Sequence, residues 1–282
     1  MVSQVTLPNG MTMPRFGQGT WGMGERRARR DAEVAALRHG IARGITLIDT
    51  AEMYGDGGAE EIVGEAIAGN GVNLRDGLFI VSKVLPDNAS RQGTVTACEQ
   101  SLRRMKIDCI DLYLLHWRGG EPLAETLAGF AELRAAGKIR AWGVSNLDLS
   151  DMQELAALNG GDACGTNQLL YNLTRRGIEY DLLPWCRARR LPVMAYSPIE
   201  QGRMLDHPAL RALARKRGAT PAQVALAWLL RQDDIVVIPK AATPAHIDDN
   251  LGALDLHLDT DDLATLDRAF PPPTHATPLA ML

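Results

Sequence analysis

Cysteine is scarce and unpatterned in this chain. The four thiols, Cys98, Cys109, Cys164 and Cys186, lie far apart with no CxxC spacing, which argues against a zinc module or a disulfide scaffold and leaves reduced structural thiols. Long apolar runs are absent too. No stretch reaches the roughly 20 apolar residues that cross a bilayer, and MVSQVTLPNGMTMPRF lacks a basic start followed by an apolar core. The expectation is a cytoplasmic protein without membrane association. There is no basic excess, because the formal net charge is −4. Nucleic-acid binding is therefore not expected, and Arg26, Arg27, Arg29 and Arg30 read as a solvated helix entrance. The six histidines include no HxxxH pair, and DTAEMYGDGGAE places Met53 where a calcium loop needs oxygen, so no metal is expected. Nothing in the pattern points to a partner protein.

What is present is a composition able to bury a large core, with 46% hydrophobic and 23% charged residues. VTL and MTM flank Pro8-Asn9-Gly10, where Asn-Gly signals a hairpin with a two-residue turn. Eight short apolar runs then follow as candidate strands: FGQGT (16–20), TLIDT (46–50), LFIVSK (78–83), CIDLYLLH (109–116), AWGVSN (141–146), CGTNQ (164–168), PVMAYSP (192–198) and IVVIPK (235–240). Amphipathic segments such as DAEVAALRHGIARG, GTVTACEQSLRRM and PLAETLAGFAELRAAG separate them, and several end at a glycine suited to a helix C-cap, as at Gly44, Gly69 and Gly137. Strand and helix alternating eight times predict an α/β fold, a (β/α)8 TIM barrel, with a doubly wound sheet as the alternative. HPALRALARKRG and TDDLATLDRAF are two helices beyond the repeat. No Ser-, Gly- or Pro-rich linker divides residues 1–282, so one domain is expected.

A barrel of this kind places its chemistry where the strands end. Asp49, Lys83, His116, Ser145 with Asn146, Gln168, Tyr196 with Ser197, and Lys240 close successive strands, and Tyr54 follows Asp49 by five residues. A free tyrosine titrates near 10, too high for efficient proton transfer at neutrality, but a nearby ammonium lowers that value. Lys83 is placed to supply the ammonium and Asp49 to keep it protonated, while neutral His116 donates to a carbonyl oxygen. Such a set protonates an oxyanion formed from a carbonyl, and the hydride this requires implies a nicotinamide. Gly17-Gln18-Gly19-Thr20-Trp21-Gly22 spells G-x-G-x-x-G, but a bulky Trp occupies the turn and no helix follows promptly, so a Rossmann site is not expected.

With these residues assembled, the chain resembles the aldo-keto reductases, and in particular their bacterial methylglyoxal reductase branch. LIDTAEMYG, IVSKV, YLLHW, GVSN, NQ and IPK carry the resemblance in order. It implies Tyr54 as proton donor, Asp49 and Lys83 as its tuning partners and His116 as carbonyl orienter. It implies NADPH, with NADH as an alternative, held by Gly19, Thr20, Asp49, Ser145, Asn146, Gln168, Tyr196, Ser197, Pro198, Ile199, Gln201, Gly202, Ile238, Lys240, Ala241, Thr243, His246, Asp249 and Asn250. Trp21 and Trp117, with Tyr54 and His116, would form the pocket for a small aldehyde, 2-oxoaldehyde or ketone. Two departures matter. Ala241 stands where many relatives have serine and His246 where they have arginine, which narrows the margin for NADPH. The tail after the last helix is short, so an open pocket is expected. A Schiff-base aldolase using Lys83 and a non-catalytic NAD(P)H-binding sensor are the competing readings.

Overall fold

The computed structural model describes residues 2–68 and 74–282. Gly69, expected to cap a helix, falls outside them. β1 (Gln4–Thr6) and β2 (Thr12–Pro14) form the antiparallel hairpin. Its loop has three residues, not the expected two, because Leu7 N donates to Met11 O at 2.8 Å and Gly10 takes φ +86°. A type I turn closed by a left-handed glycine is the usual solution for that loop length.

Eight strands then pair in parallel, each with its sequence neighbour: β3 (Gly17–Gly19), β4 (Leu47–Asp49), β5 (Phe79–Val84), β6 (Ile110–Leu115), β7 (Ile139–Ser145), β8 (Asn167–Leu170), β9 (Val193–Tyr196) and β10 (Ile235–Val237). Bridges Phe16–Val237 and Gly19–Lys240 join the last strand to the first, so the expected (β/α)8 barrel is the observed fold. The helices between strands are α1 (Arg30–Ala42), α2 (Gly58–Ala68), α3 (Arg91–Met105), α4 (Leu123–Ala135), α5 (Leu149–Ala157) and α6 (Leu182–Ala188). Two helices, α7 (Pro208–Arg217) and α8 (Pro221–Leu230), share the β9–β10 connection. After β10 come α9 (Pro244–Leu251) and α10 (Thr260–Ala269).

Sequence periodicity missed α9, whose eight residues PAHIDDNL give too few turns for a clear apolar face. Its start was readable, since the Thr243 side chain accepts from His246 N and Pro244 follows at the first helical position. Gly44 and Gly137 do end their helices, at φ +89° and +71°.

Two apolar layers hold the barrel. The inner one joins Leu47, Phe79, Val81, Leu112, Leu114, Met194 and Val236 of the strands to Val5, Leu7 and Met13 of the hairpin segment. The hairpin thus closes the end from which the strands start, and the opposite end is left for function. The outer layer packs the helices onto the strands through residues such as Ile48, Ile62, Val63, Tyr113, Phe130 and Trp142. Strands buried on both faces explain the continuous apolar runs in the sequence. The arginine cluster begins as an exposed single turn over Arg27–Arg29.

Candidate active site

The strand ends converge as the pattern predicts. The Lys83 ammonium, completely buried, donates three hydrogen bonds of 2.9 Å: to Asp49 Oδ2, to the Thr50 carbonyl and to the Tyr54 hydroxyl. All three donor positions of the ammonium are thereby used. The other carboxylate oxygen of Asp49 accepts from Gln168 Nε2 at 2.8 Å, which ties the second barrel strand to the sixth across the mouth. Lys83 also lies 4.6 Å from the centre of the Tyr54 ring.

The aromatic groups surround this triad. Trp21 meets Tyr54 edge to face at 5.1 Å, Tyr54 meets His116 at 5.7 Å, and His116 meets Trp117 at 4.9 Å. Trp21 can come so near because the loop that carries it rests on the start of α2. A Cβ on Gly24 would sit 2.3 Å from the Gly58 carbonyl carbon, so only glycine permits that approach. Trp21 is 48% exposed and Met53 40%, which gives the mouth an apolar rim.

Burial sets the protonation states. The Lys83 environment would lower its affinity for a proton by desolvation, but attraction to Asp49 and Tyr54 outweighs this and raises it. Lys83 is therefore a held cation, which removes the basis for a Schiff-base aldolase. His116 is pushed down to about 2 by desolvation and by the Lys83 charge, so its ring is neutral. Its Nδ1 is buried without a partner among the described residues. For Tyr54 the expectation of a lowered value fails. Desolvation raises it, and the opposing pull of Lys83 does not compensate. The phenol keeps its proton at neutral pH, with an ammonium beside it ready to stabilise the phenolate.

Beside this centre lies a row of polar groups at the ends of β7 to β9. Ser145 Oγ donates to the Gln168 carbonyl at 2.9 Å, and Asn146 Nδ2 donates to the His116 carbonyl and to Ser145 Oγ, both at 3.1 Å. The Tyr196 hydroxyl donates to Asn146 Oδ1 at 3.0 Å. Held amides beside a half-buried aromatic ring suit a flat heteroaromatic carboxamide. Farther along, Ser197, Glu200, Gln201 and Gly202 all have positive φ, and a Cβ on Gly202 would meet nothing within 4 Å. Asn172 and Glu200, which the motifs did not single out, anchor this sharply turned segment: Asn172 Nδ2 donates to the Ser197 carbonyl and to Glu200 Oε2. Glu200 in turn accepts from Arg175 and Arg203.

At the far end, exposed Lys240, Thr243 and His246 flank the start of α9. A helix N-terminus with a nearby lysine suits a phosphate. Other candidates are less available. Thr20 is buried with its hydroxyl on the Asp49 carbonyl, Ile238 and Ala241 are buried, and Pro198 is covered. Gly19 pairs through its backbone with Pro239, and Ile199 is half-buried. Asp249 is half-buried and accepts from Thr220 and Gln223 of the neighbouring helix cap, and Asn250 is buried.

With the geometry in place, comparison with known proteins identifies the lineage. Residues 15–270 match the Aldo/keto reductase family. The chain belongs to that family. It is 53% identical to methylglyoxal reductase YeaE of Escherichia coli over 96% of each chain, and 34% identical to a glyoxal reductase of Bacillus subtilis over 93% of this chain and 91% of the other. An aldo-keto reductase from Klebsiella pneumoniae, crystallised with NADPH, superposes over the whole of both chains with a TM-score of 0.95 at 50% identity. As an aldo-keto reductase the protein is an oxidoreductase of carbonyl chemistry, and the expected likeness to the methylglyoxal reductase branch holds across the chain.

One feature departs from expectation. The tail after α10 folds back over the strand ends, and Leu282 N approaches the Tyr196 hydroxyl at 3.4 Å. A cavity of about 460 Å³ lies between residues 277–280 of this tail and the starts of α5 and α6. Short as it is, the tail covers one side of the mouth, because Leu279 packs on the outer core. Among the described residues no helix is long and apolar enough to cross a membrane, and no group of three or more His, Cys, Asp or Glu could hold a metal.

Proposed function

We propose that the protein reduces small aldehydes, 2-oxoaldehydes of the methylglyoxal kind, or ketones to alcohols with NADPH, Tyr54 giving the proton. The observation that carries this reading is the buried Lys83 ammonium bonded at once to Asp49 and to the Tyr54 hydroxyl. A reduced nicotinamide, when bound, supplies the hydride. Ser145, Asn146 and Gln168 would hold its carboxamide and Tyr196 its ring. Ser197, Ile199, Gln201 and Gly202 would follow the pyrophosphate, with Lys240, Thr243 and His246 at the 2′-phosphate.

The chain's own residues then divide the work on the carbonyl. The neutral His116 ring donates its single N–H to the carbonyl oxygen, drawing electron density from the carbon. Tyr54, on the same side, donates its proton to the oxygen as the C–O bond order falls. The phenolate left behind is stabilised by Lys83, whose charge Asp49 maintains. The raised proton affinity of Tyr54 fits this direction, since a reductase needs the phenol protonated before the step. Trp21, Met53 and Trp117 exclude water from the oxygen's surroundings and favour small substrates.

Tyr54→Phe tests the reading. Loss of the proton donor should slow methylglyoxal reduction by roughly 10²- to 10⁴-fold while NADPH binding persists. A variant that binds NADPH and turns over at the wild-type rate would remove Tyr54 from the role.

A further inference from the structure

The loop that carries Tyr54 is a run of tight turns, with Tyr54 N on the Ala51 carbonyl, Asp56 N on the Met53 carbonyl and Gly58 N on the Gly55 carbonyl, and Gly55, Asp56 and Gly57 follow one another in the left-handed region at φ +57°, +52° and +85°. These turns set the loop's own shape, and side chains set where it sits against β5. Two buried carboxylates flank the tyrosine, Glu52 before it and Glu60 after it at the start of α2. Glu52 Oε1 accepts from Leu85 N at 2.7 Å and from Asn88 Nδ2 at 3.1 Å. Glu60 Oε1 accepts from Ser82 Oγ at 2.5 Å. Ser82 and Leu85 lie on either side of Lys83, so each carboxylate fastens one flank of Tyr54 to one flank of the lysine.

The outer oxygens of both carboxylates converge on one guanidinium. Arg104 of α3 donates through Nε to Glu60 Oε2 at 2.6 Å, and its other end lies 4.0 Å from Glu52 Oε2. Its stem covers Gly57 so closely that a Cβ there would fall 2.6 Å from Arg104 Cδ. Apolar packing could fill this space at least as stably, since burying charges has a desolvation cost. It would lack direction, whereas a guanidinium hydrogen-bonded to Glu60 and Ser101 and ion-paired with Glu52 sets distance as well as contact.

We propose that Arg104, acting through Glu52 and Glu60, is a positioning residue for carbonyl reduction that holds the Tyr54 hydroxyl within hydrogen-bond reach of Lys83. It touches neither substrate nor cofactor, and the inference rests on Tyr54 being the proton donor. Its effect should fall on the chemical step alone, where a displacement of about 1 Å can slow a reaction by up to 10²-fold.

The test is single-turnover NADPH oxidation by excess enzyme with saturating methylglyoxal, together with NADPH titration, for Arg104→Met, Arg104→Lys, Tyr54→Phe and the Arg104→Met/Tyr54→Phe double variant. Arg104→Met should slow the turnover roughly ten- to hundredfold, with NADPH Kd and the half-saturating methylglyoxal concentration changed by less than about twofold. Arg104→Lys, which keeps the charge but not the fork, should recover only part of the rate lost in Arg104→Met, and the double variant should be no slower than Tyr54→Phe, the mark of two residues acting as one unit. A wild-type rate in Arg104→Met, a parallel weakening of NADPH binding, or additive losses in the double variant would overturn the proposal. If Arg104→Met does not fold, Glu52→Gln takes its place, since it keeps the shape and loses the charge toward Arg104; a wild-type rate there overturns the proposal and a slowed step with unchanged NADPH binding supports it. Tyr54→Phe at the wild-type rate would instead refute the donor assignment, whatever Arg104 does.

Discussion

The two ends of the polar row across the barrel mouth are built on opposite principles. At one end Asp49, Lys83 and Tyr54 are buried, mutually bonded and braced from three strands, so each group's state is fixed by its neighbours. At the other, Lys240, Thr243 and His246 stand exposed on a short helix start and make almost no contacts with one another. Charges in the first setting act at low effective dielectric and are costly to remove singly, whereas in the second they are screened and separable. The buried end suits a step that depends on fixed distances. The exposed end suits recognition of a charged group arriving from solvent.

Lys83→Met breaks the buried end most severely. It leaves Asp49 with Gln168 as its remaining side-chain partner and removes the cation beside Tyr54. Methylglyoxal reduction should fall on the order of 10³-fold, the range set by loss of a positioned acid–base partner. Stripping the partner from a buried carboxylate should also cost about 3–5 kcal/mol of unfolding free energy. Denaturant unfolding beside single-turnover rates checks both, and a variant that loses rate without stability would show that Asp49 finds another partner.

His116 tests the same end through pH. The folded ring stays neutral down to about 2, whereas in the unfolded chain it takes up a proton below about 6.5. The unfolded state therefore binds the extra proton between those values, and stability is lost as pH falls through 6.5. From pH 7 to pH 5 this contributes a loss of about 2 kcal/mol. His116→Gln should lose correspondingly less stability over that interval, measured by urea unfolding at the two pH values. Equal losses in both proteins would show that the ring is protonated in the fold.

How much of this could be read in advance differs between the two ends for the same reason. Asp49, Lys83, His116, Ser145, Asn146 and Gln168 were legible because a barrel sends each strand's last residue to one place, so position along the strand carries the third dimension. The hairpin and the eight-strand order were legible through turn residues and double-sided apolar runs. What pattern could not supply was the direction of a balance. Whether burial or Lys83 governs the Tyr54 proton depends on how completely the hydroxyl is enclosed. Glu52, Glu60 and Arg104 look in sequence like ordinary solvated helix and loop charges; only packing shows that their heads turn inward. Asn172 and Glu200 were hidden for the same reason, as was the tail's approach to Tyr196, because tail positions follow no period.

The exposed end should respond more gently. Lys240→Ala removes one cation from the proposed 2′-phosphate position, and NADPH affinity should fall about tenfold, since a charge-assisted hydrogen bond contributes about 1.5 kcal/mol in partly screened surroundings. NADH affinity should be unchanged, as that cofactor lacks the phosphate. Fluorescence titration with both cofactors makes the measurement, and equal weakening of NADH would place Lys240 elsewhere along the cofactor.

The smallest effect is expected from His246→Arg, and its size bears directly on the contrast between the two ends. The side chain at 246 is exposed and follows Thr243 by three residues, so it lies over the first turn of α9. Arginine there adds a permanent charge and a planar fork to a phosphate that Lys240 and the helix start would already hold. Because the site faces water, side-chain ordering and ionic screening offset most of the added attraction. NADPH affinity should rise about three- to fivefold at low salt, on the order of 1 kcal/mol, and the gain should shrink as salt is raised toward 0.5 M. A gain that survives high salt would mean that bound cofactor closes this end from solvent, and the exposed end would then work by the same rules as the buried one.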